Sequence, residues 1–174
     1  MAKPLQENES KNDIDNQFSK QKPTDFSGYW ETYRIENFDA FLDDLDLSWV
    51  MKKLAALMVK KTVYFKIKQN DDKFEMTIRV MMQQQTEIFT VDDFKTEYTF
   101  KDISGDTLKI KYKWNDKKDV LISSFNNLTK KQKGTDKKYL YNDPNIGTCI
   151  IAEITNEKGT TMKQIWKKSN YNTY

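Results

Sequence analysis

From residue 63 onward, apolar and polar side chains alternate with a period of two. Val63, Phe65 and Ile67 alternate with Tyr64, Lys66 and Lys68. Phe74, Met76, Ile78 and Val80 alternate with Glu75, Thr77 and Arg79, and Leu108, Ile110, Tyr112 and Trp114 alternate with Lys109, Lys111 and Lys113. Successive side chains of a strand point to opposite faces, so the pattern predicts half-buried antiparallel strands with lysine on the wet face. Gln69–Lys73, Ser104-Gly105-Asp106, Asn115-Asp116 and Asn156–Gly159 carry hairpin-turn chemistry between them. The period changes over 37–58. There Phe38, Phe41, Leu42 and Leu45 fall at i, i+3, i+4 and i+7, with Asp39, Asp43 and Asp44 off the stripe, which predicts a helix. Asp46-Leu47-Ser48 breaks it, and Ser48 is a suitable N-cap for a second helix through about Met58. A meander of antiparallel strands with one helical hairpin near its start closes most simply as an all-β antiparallel barrel.

Composition narrows the chemistry. The chain has 174 residues, 29 Lys plus Arg against 26 Asp plus Glu, and a net charge of +3. Its residues are 37% hydrophobic and 13% aromatic, enough for one core. With no His, neither a Ser-His-Asp nor a Cys-His pair can be assembled, nor a histidine metal site. One cysteine, Cys149, excludes an intrachain disulfide. The glycines are too widely spaced for a dinucleotide or phosphate loop. No apolar run approaches the ~18 residues of a membrane span. The start, MAKPLQENESKNDIDNQF, lacks the apolar segment of a secretory signal. These features predict a soluble, cytoplasmic protein with no cofactor or metal, and not an enzyme. Residues 1–25 are polar and predicted to be a disordered tail, leaving 26–174 as one barrel domain. The helical segment is acidic, which argues against a DNA-binding helix-turn-helix, because phosphate would repel it.

Three blocks carry a family resemblance: Phe26-Ser27-Gly28-Tyr29-Trp30, then Glu36-Asn37-Phe38-Asp39-Ala40-Phe41-Leu42, then Lys52-Lys53-Leu54-Ala55. In order and spacing they resemble the opening of the intracellular lipid-binding proteins, the fatty-acid-binding and cellular retinoid-binding proteins. Thr86-Glu87-Ile88, Gly105-Asp106-x-Leu108 and Lys113-Trp114-Asn115-Asp116 look like that family's middle strands, and Gln164-Ile165-Trp166-Lys167-Lys168 looks like its last. The resemblance implies a lipocalin-like β-clam of about nine to ten strands, with the helix-turn-helix as a lid over a cavity holding one lipid. It places Phe38, Leu42, Leu47, Met51, Ala55 and Met58 on the cavity face of the lid, with Met76 and Tyr112 as further lining candidates. Stripes of this kind also serve as plain core.

The same resemblance frames the head-group question. Fatty-acid carriers of the family commonly hold a carboxylate with two buried arginines and a tyrosine. Here the corresponding positions are Ser123, Gln164 and Trp166, and neither Arg34 nor Arg79 lies on the last strands. The bidentate fork of arginine on a carboxylate is thus missing there. A neutral amide offers a donor and an acceptor, which suits an alcohol, amide or ester head, unless Gln164 merely satisfies backbone groups. Between Ile88 and Leu108 the chain is shorter than the family, so one strand is expected to be lost or very short. Around 128–147 it is longer. Lys130, Lys131, Lys133, Lys137 and Lys138 there, answered only by Asp136, are expected to form a solvated Lys-rich loop insertion or a docking patch for an anionic membrane surface.

The leading expectation is a monomeric intracellular carrier that takes one fatty acid, retinoid or related lipid between membranes, with no nucleic-acid partner. The alternative is a protective, structural β-clam that binds no ligand. Trp30-Glu31 and Arg34-Ile35-Glu36-Asn37-Phe38-Asp39-Ala40-Phe41 also resemble the tardigrade secretory heat-soluble proteins.

Overall fold

The computed structural model describes residues 21–45, 47, 52, 53, 55 and 61–170. Along the chain run β1 (Gly28–Glu36), α1 (Phe38–Asp44), β2 (Val63–Asn70), β3 (Lys73–Val80), β4 (Gln83–Thr90) and β5 (Tyr98–Lys101). They are followed by β6 (Thr107–Trp114), β7 (Val120–Asn127), β8 (Gln132–Asp143), β9 (Gly147–Asn156) and β10 (Thr161–Lys168). The strands form a single 10-stranded sheet in the order β4-β3-β2-β1-β10-β9-β8-β7-β6-β5, every neighbour antiparallel. Pairing of the first strand with the last curls the sheet into a nearly closed barrel, as the alternation predicts. The edges β4 and β5 share no ladder. A side chain crosses the seam instead: the Thr90 amide donates to the Tyr98 hydroxyl at 2.9 Å. Of the two alternatives between Ile88 and Leu108, a lost or a very short strand, the structure has the second, the four-residue β5.

One expectation is overturned. The Lys-rich stretch is no loop, because Gln132–Asp143 forms the 12-residue β8, paired throughout with β7 and β9. Its inward positions carry Gln132, Gly134, Asp136 and Lys138, so it has no apolar period to mark it. Gly134 is required where it stands, since an added Cβ would lie 2.4 Å from the Thr155 carbonyl oxygen and 2.6 Å from the Phe125 ring.

Aromatic side chains fill one end of the barrel. Phe26 and Trp30 are each 1% exposed, and the Trp30 indole donates to the Phe26 carbonyl at 2.9 Å. Phe26 stacks on Trp114 with ring centroids 6.1 Å apart, Phe74 on Phe89 at 5.0 Å, and the Trp114 indole donates to Asp72 at 2.8 Å. The chain leading to Phe26 belongs to this plug: the Thr24 amide donates to the Lys118 carbonyl, and Gln69 donates to the Thr24 carbonyl, both at 2.9 Å. Of the tail predicted over 1–25, Thr24 is thus held by hydrogen bonds to its backbone, and residues 1–20 lie outside the described residues. On the outer face of the sheet, Cys149, Ile151 and Ile165 form a small separate cluster against Tyr139 and Ile146.

The helix α1 buries Phe41 and Leu42 and lies against β10. The Asn37 amide donates to the Thr161 carbonyl at 2.8 Å, and the Thr160 hydroxyl bonds to the Asp44 carboxylate, tying both ends to the β9–β10 turn. Leu45 takes an extended conformation and ends α1 where the sequence break predicts. Of the second predicted helix, Lys52, Lys53 and Ala55 are helical and the rest lies outside the described residues.

Candidate functional site

The inward faces of the strands enclose a cavity of about 290 Å³, near the lower end of the ~300–1,000 Å³ range of small-molecule sites. Phe65, Ile67, Met76, Ile78, Ile110 and Leu121 contribute apolar wall. Two aromatic pairs stiffen it: Phe65 on Trp166, and Phe89 on Tyr112, each with centroids 3.8 Å apart. Burial, helped by the charges of Glu87 and Asp136, pushes the Tyr112 hydroxyl far above its ordinary value, so it remains a protonated donor.

The polar part of the wall is ionic. From β8, Lys138 pairs with Asp136, and both side chains are only 13% exposed. That single contact leaves the carboxylate half used: Asp136 Oδ1 is buried and has no hydrogen-bond partner. Leaving such an acceptor unmade costs ~1–3 kcal/mol. From β4 comes Glu87, 5% exposed, with one oxygen accepting from the Gln85 amide at 3.1 Å. Burial pushes the Glu87 carboxyl above its ordinary value, and the Lys138 charge only partly offsets this. The Lys138 ammonium also lies 5.8 Å from the centre of the Trp166 ring. β4 and β8 are far apart in the sheet order, and their side chains line one cavity because the sheet curls.

Tyr112, Ser123, Met76 and Trp166, predicted as lining residues, line the cavity together. Gln164 shares the inward face of β10 but is not part of the cavity wall; its carbonyl accepts from the Trp166 indole at 3.3 Å. Phe38 and Leu42 sit on α1, and neither they nor Ala55 contribute to the wall. Leu47 borders a separate groove beside the β7–β8 turn. Met51 and Met58 lie outside the described residues. Sequence reasoning missed Glu87, Asp136 and Lys138. The available signal was the i, i+2 spacing of Asp136 and Lys138, which puts opposite charges on one face of any strand. The wall carries no arginine among the described residues, and its cation is the Lys138 ammonium, already paired with Asp136. Among the described residues, no group of three or more His, Cys, Asp or Glu side chains could hold a metal ion.

No protein-family model matches the sequence, and no curated protein does. Solved structures match its fold. The Schistosoma mansoni fatty acid binding protein, solved in complex with arachidonic acid, aligns with a TM-score of 0.64 at 18% identity, covering 83% of this chain and 96% of that one. Human cRBP IV aligns with a TM-score of 0.61 at 20% identity, covering 84% of this chain and 100% of that one. Secretory abundant heat soluble protein 4 from the tardigrade Ramazzottius varieornatus aligns with a TM-score of 0.64 at 20% identity, covering 83% and 94%. The chain therefore has the β-clam fold of the fatty-acid- and retinoid-binding proteins, and the resemblance read from its opening blocks holds at the level of the fold.

Proposed function

We propose that the protein is a noncatalytic carrier of one apolar molecule, held inside the barrel. The observation behind this reading is the cavity itself, an apolar chamber with its polar groups gathered from β4, β6, β7 and β8. Burying a chain there contributes ~0.8 kcal/mol per CH₂, so the hydrophobic effect supplies affinity and the polar wall selects the head. Met76, Tyr112, Ser123 and Trp166 contact the ligand in this reading. The fold likeness to a protein solved with arachidonic acid supports a lipid as the ligand class. Native mass spectrometry of the purified protein, with organic extraction of what co-purifies, tests it. One lipid per chain is the expected result. An empty protein that also fails to bind a neutral fluorescent lipid probe would refute the carrier.

The likeness to the tardigrade heat-soluble protein supports a second reading, a protective clam with no ligand. Retained solubility after boiling, in a protein that binds no probe, is the outcome that selects it.

A further inference from the structure

The acidic and basic groups of the described cavity wall are unequal in number. Two carboxylates, Glu87 and Asp136, face the cavity with one ammonium, Lys138. The ammonium is already committed to Asp136. Among the described residues, what remains for a guest is acceptor capacity: Asp136 Oδ1, which has no hydrogen-bond partner, and the Glu87 carboxyl, which accepts from Gln85. Both carboxyl groups line the same cavity as the Tyr112 hydroxyl. Ser123 and Tyr112 add hydroxyls, and Asn127 spends its amide on Asp106 at 2.9 Å. A carboxylate head entering this region would meet the Asp136 and Glu87 carboxyl groups, with the cation of the described wall already paired to Asp136, so burying its charge there is unfavourable. A protonated amine would instead supply the donors that the buried oxygens lack, and its charge would balance the second carboxylate.

We propose that the preferred guest of the cavity is an apolar chain ending in a protonated amine, held between Asp136 and Glu87, and that fatty acids are discriminated against. This rests on the carrier reading above and specifies its ligand.

The test compares three amphiphiles of equal length, dodecylamine, dodecanol and dodecanoate, at pH 7 and below their micelle concentrations, by displacement of Nile red, a neutral probe. The expected order is amine, then alcohol, then acid. The amine should bind tighter than the acid by on the order of tenfold or more, since like-charge juxtaposition costs several kcal/mol and each 1.4 kcal/mol is a factor of ten. Asp136→Asn keeps the side-chain shape and frees Lys138, and should shift the preference toward dodecanoate. Glu87→Gln should weaken the amine while sparing the alcohol, and provides a second readout if Asp136→Asn does not fold. Dodecanoate binding as tightly as dodecylamine to the unaltered protein would overturn the amine preference and leave the carrier standing. So would an amine preference untouched by both substitutions, which would place the amine elsewhere. If neither Nile red nor any of the three amphiphiles binds, the carrier falls, and this inference with it.

Discussion

The two halves of the barrel interior are built on opposite terms. At the closed end, Phe26, Trp30, Phe74 and Trp114 interlock, and each indole gives its one donor to a fixed oxygen. At the charged wall, Asp136 Oδ1 has no partner among the described residues, and burial pushes the Glu87 carboxyl above its ordinary value. The first region is satisfied and contributes stability. The second is incompletely satisfied, and in a low local dielectric such an unmet group is costly.

Breaking the closed end should produce the largest effect. Trp30→Ala removes a fully buried indole and is expected to cost ~3–5 kcal/mol, read as a lower denaturant midpoint. At the charged wall, Lys138→Ala should cost roughly 3 kcal/mol, because it strands Asp136 as an unpaired buried charge. Replacing both partners, Asp136→Leu with Lys138→Met, should recover most of that loss in the same unfolding experiment. A double variant as unstable as the single one would show that the pair itself contributes stability, contrary to the contrast drawn here. Gly134→Ala pushes a methyl against the Thr155 carbonyl and the Phe125 ring and should cost ~1–3 kcal/mol, seen in thermal unfolding. Gln164→Ala removes only the acceptor of the Trp166 indole and should cost about 1 kcal/mol.

The smallest effect has the opposite sign. Folding raises Glu87 above its ordinary value of 4.5. Relative to acid, the folded state therefore loses stability as pH rises from 4.5 through the raised value, because the unfolded chain gives up that proton first. Glu87→Gln abolishes this loss. Its stability should exceed that of the parent at pH 7, and the advantage should vanish below pH 4.5. Urea titrations at pH 4 and pH 7 measure both arms.

The closed end was legible in the sequence and the charged wall was not, for a physical reason. Core strands announce themselves by alternation, and Phe74 and Trp114 of the closed end, with Phe65, Ile67, Ile110 and Tyr112 of the apolar wall, face the interior as their period requires. In β4 the same rule points the wrong way when applied residue by residue: Ile88 is 68% exposed and Glu87 is 5% exposed. Phe89, buried at 3%, fixes which face of the strand is inward, and Glu87 follows two positions away. In β8 no apolar anchor precedes the charges, so only the ladders to β7 and β9 reveal a strand. A lysine and an aspartate inside a barrel look in sequence like a lysine and an aspartate in water. Tyr112 was within reach because β6 carries its own hydrophobic register, and Ser123 because the family resemblance puts a head-group position there.

The position of Trp166 gives the protein a built-in optical probe. Trp30 and Trp114 are fixed in the plug by their own bonds, whereas Trp166, of the described tryptophans, is the one whose ring forms part of the chamber wall. It stacks on Phe65 and looks across to the Lys138 ammonium. Any guest changes the polarity and the nearby charge felt by that single indole. Occupancy is thus encoded in the wavelength and lifetime of native emission, with no label attached.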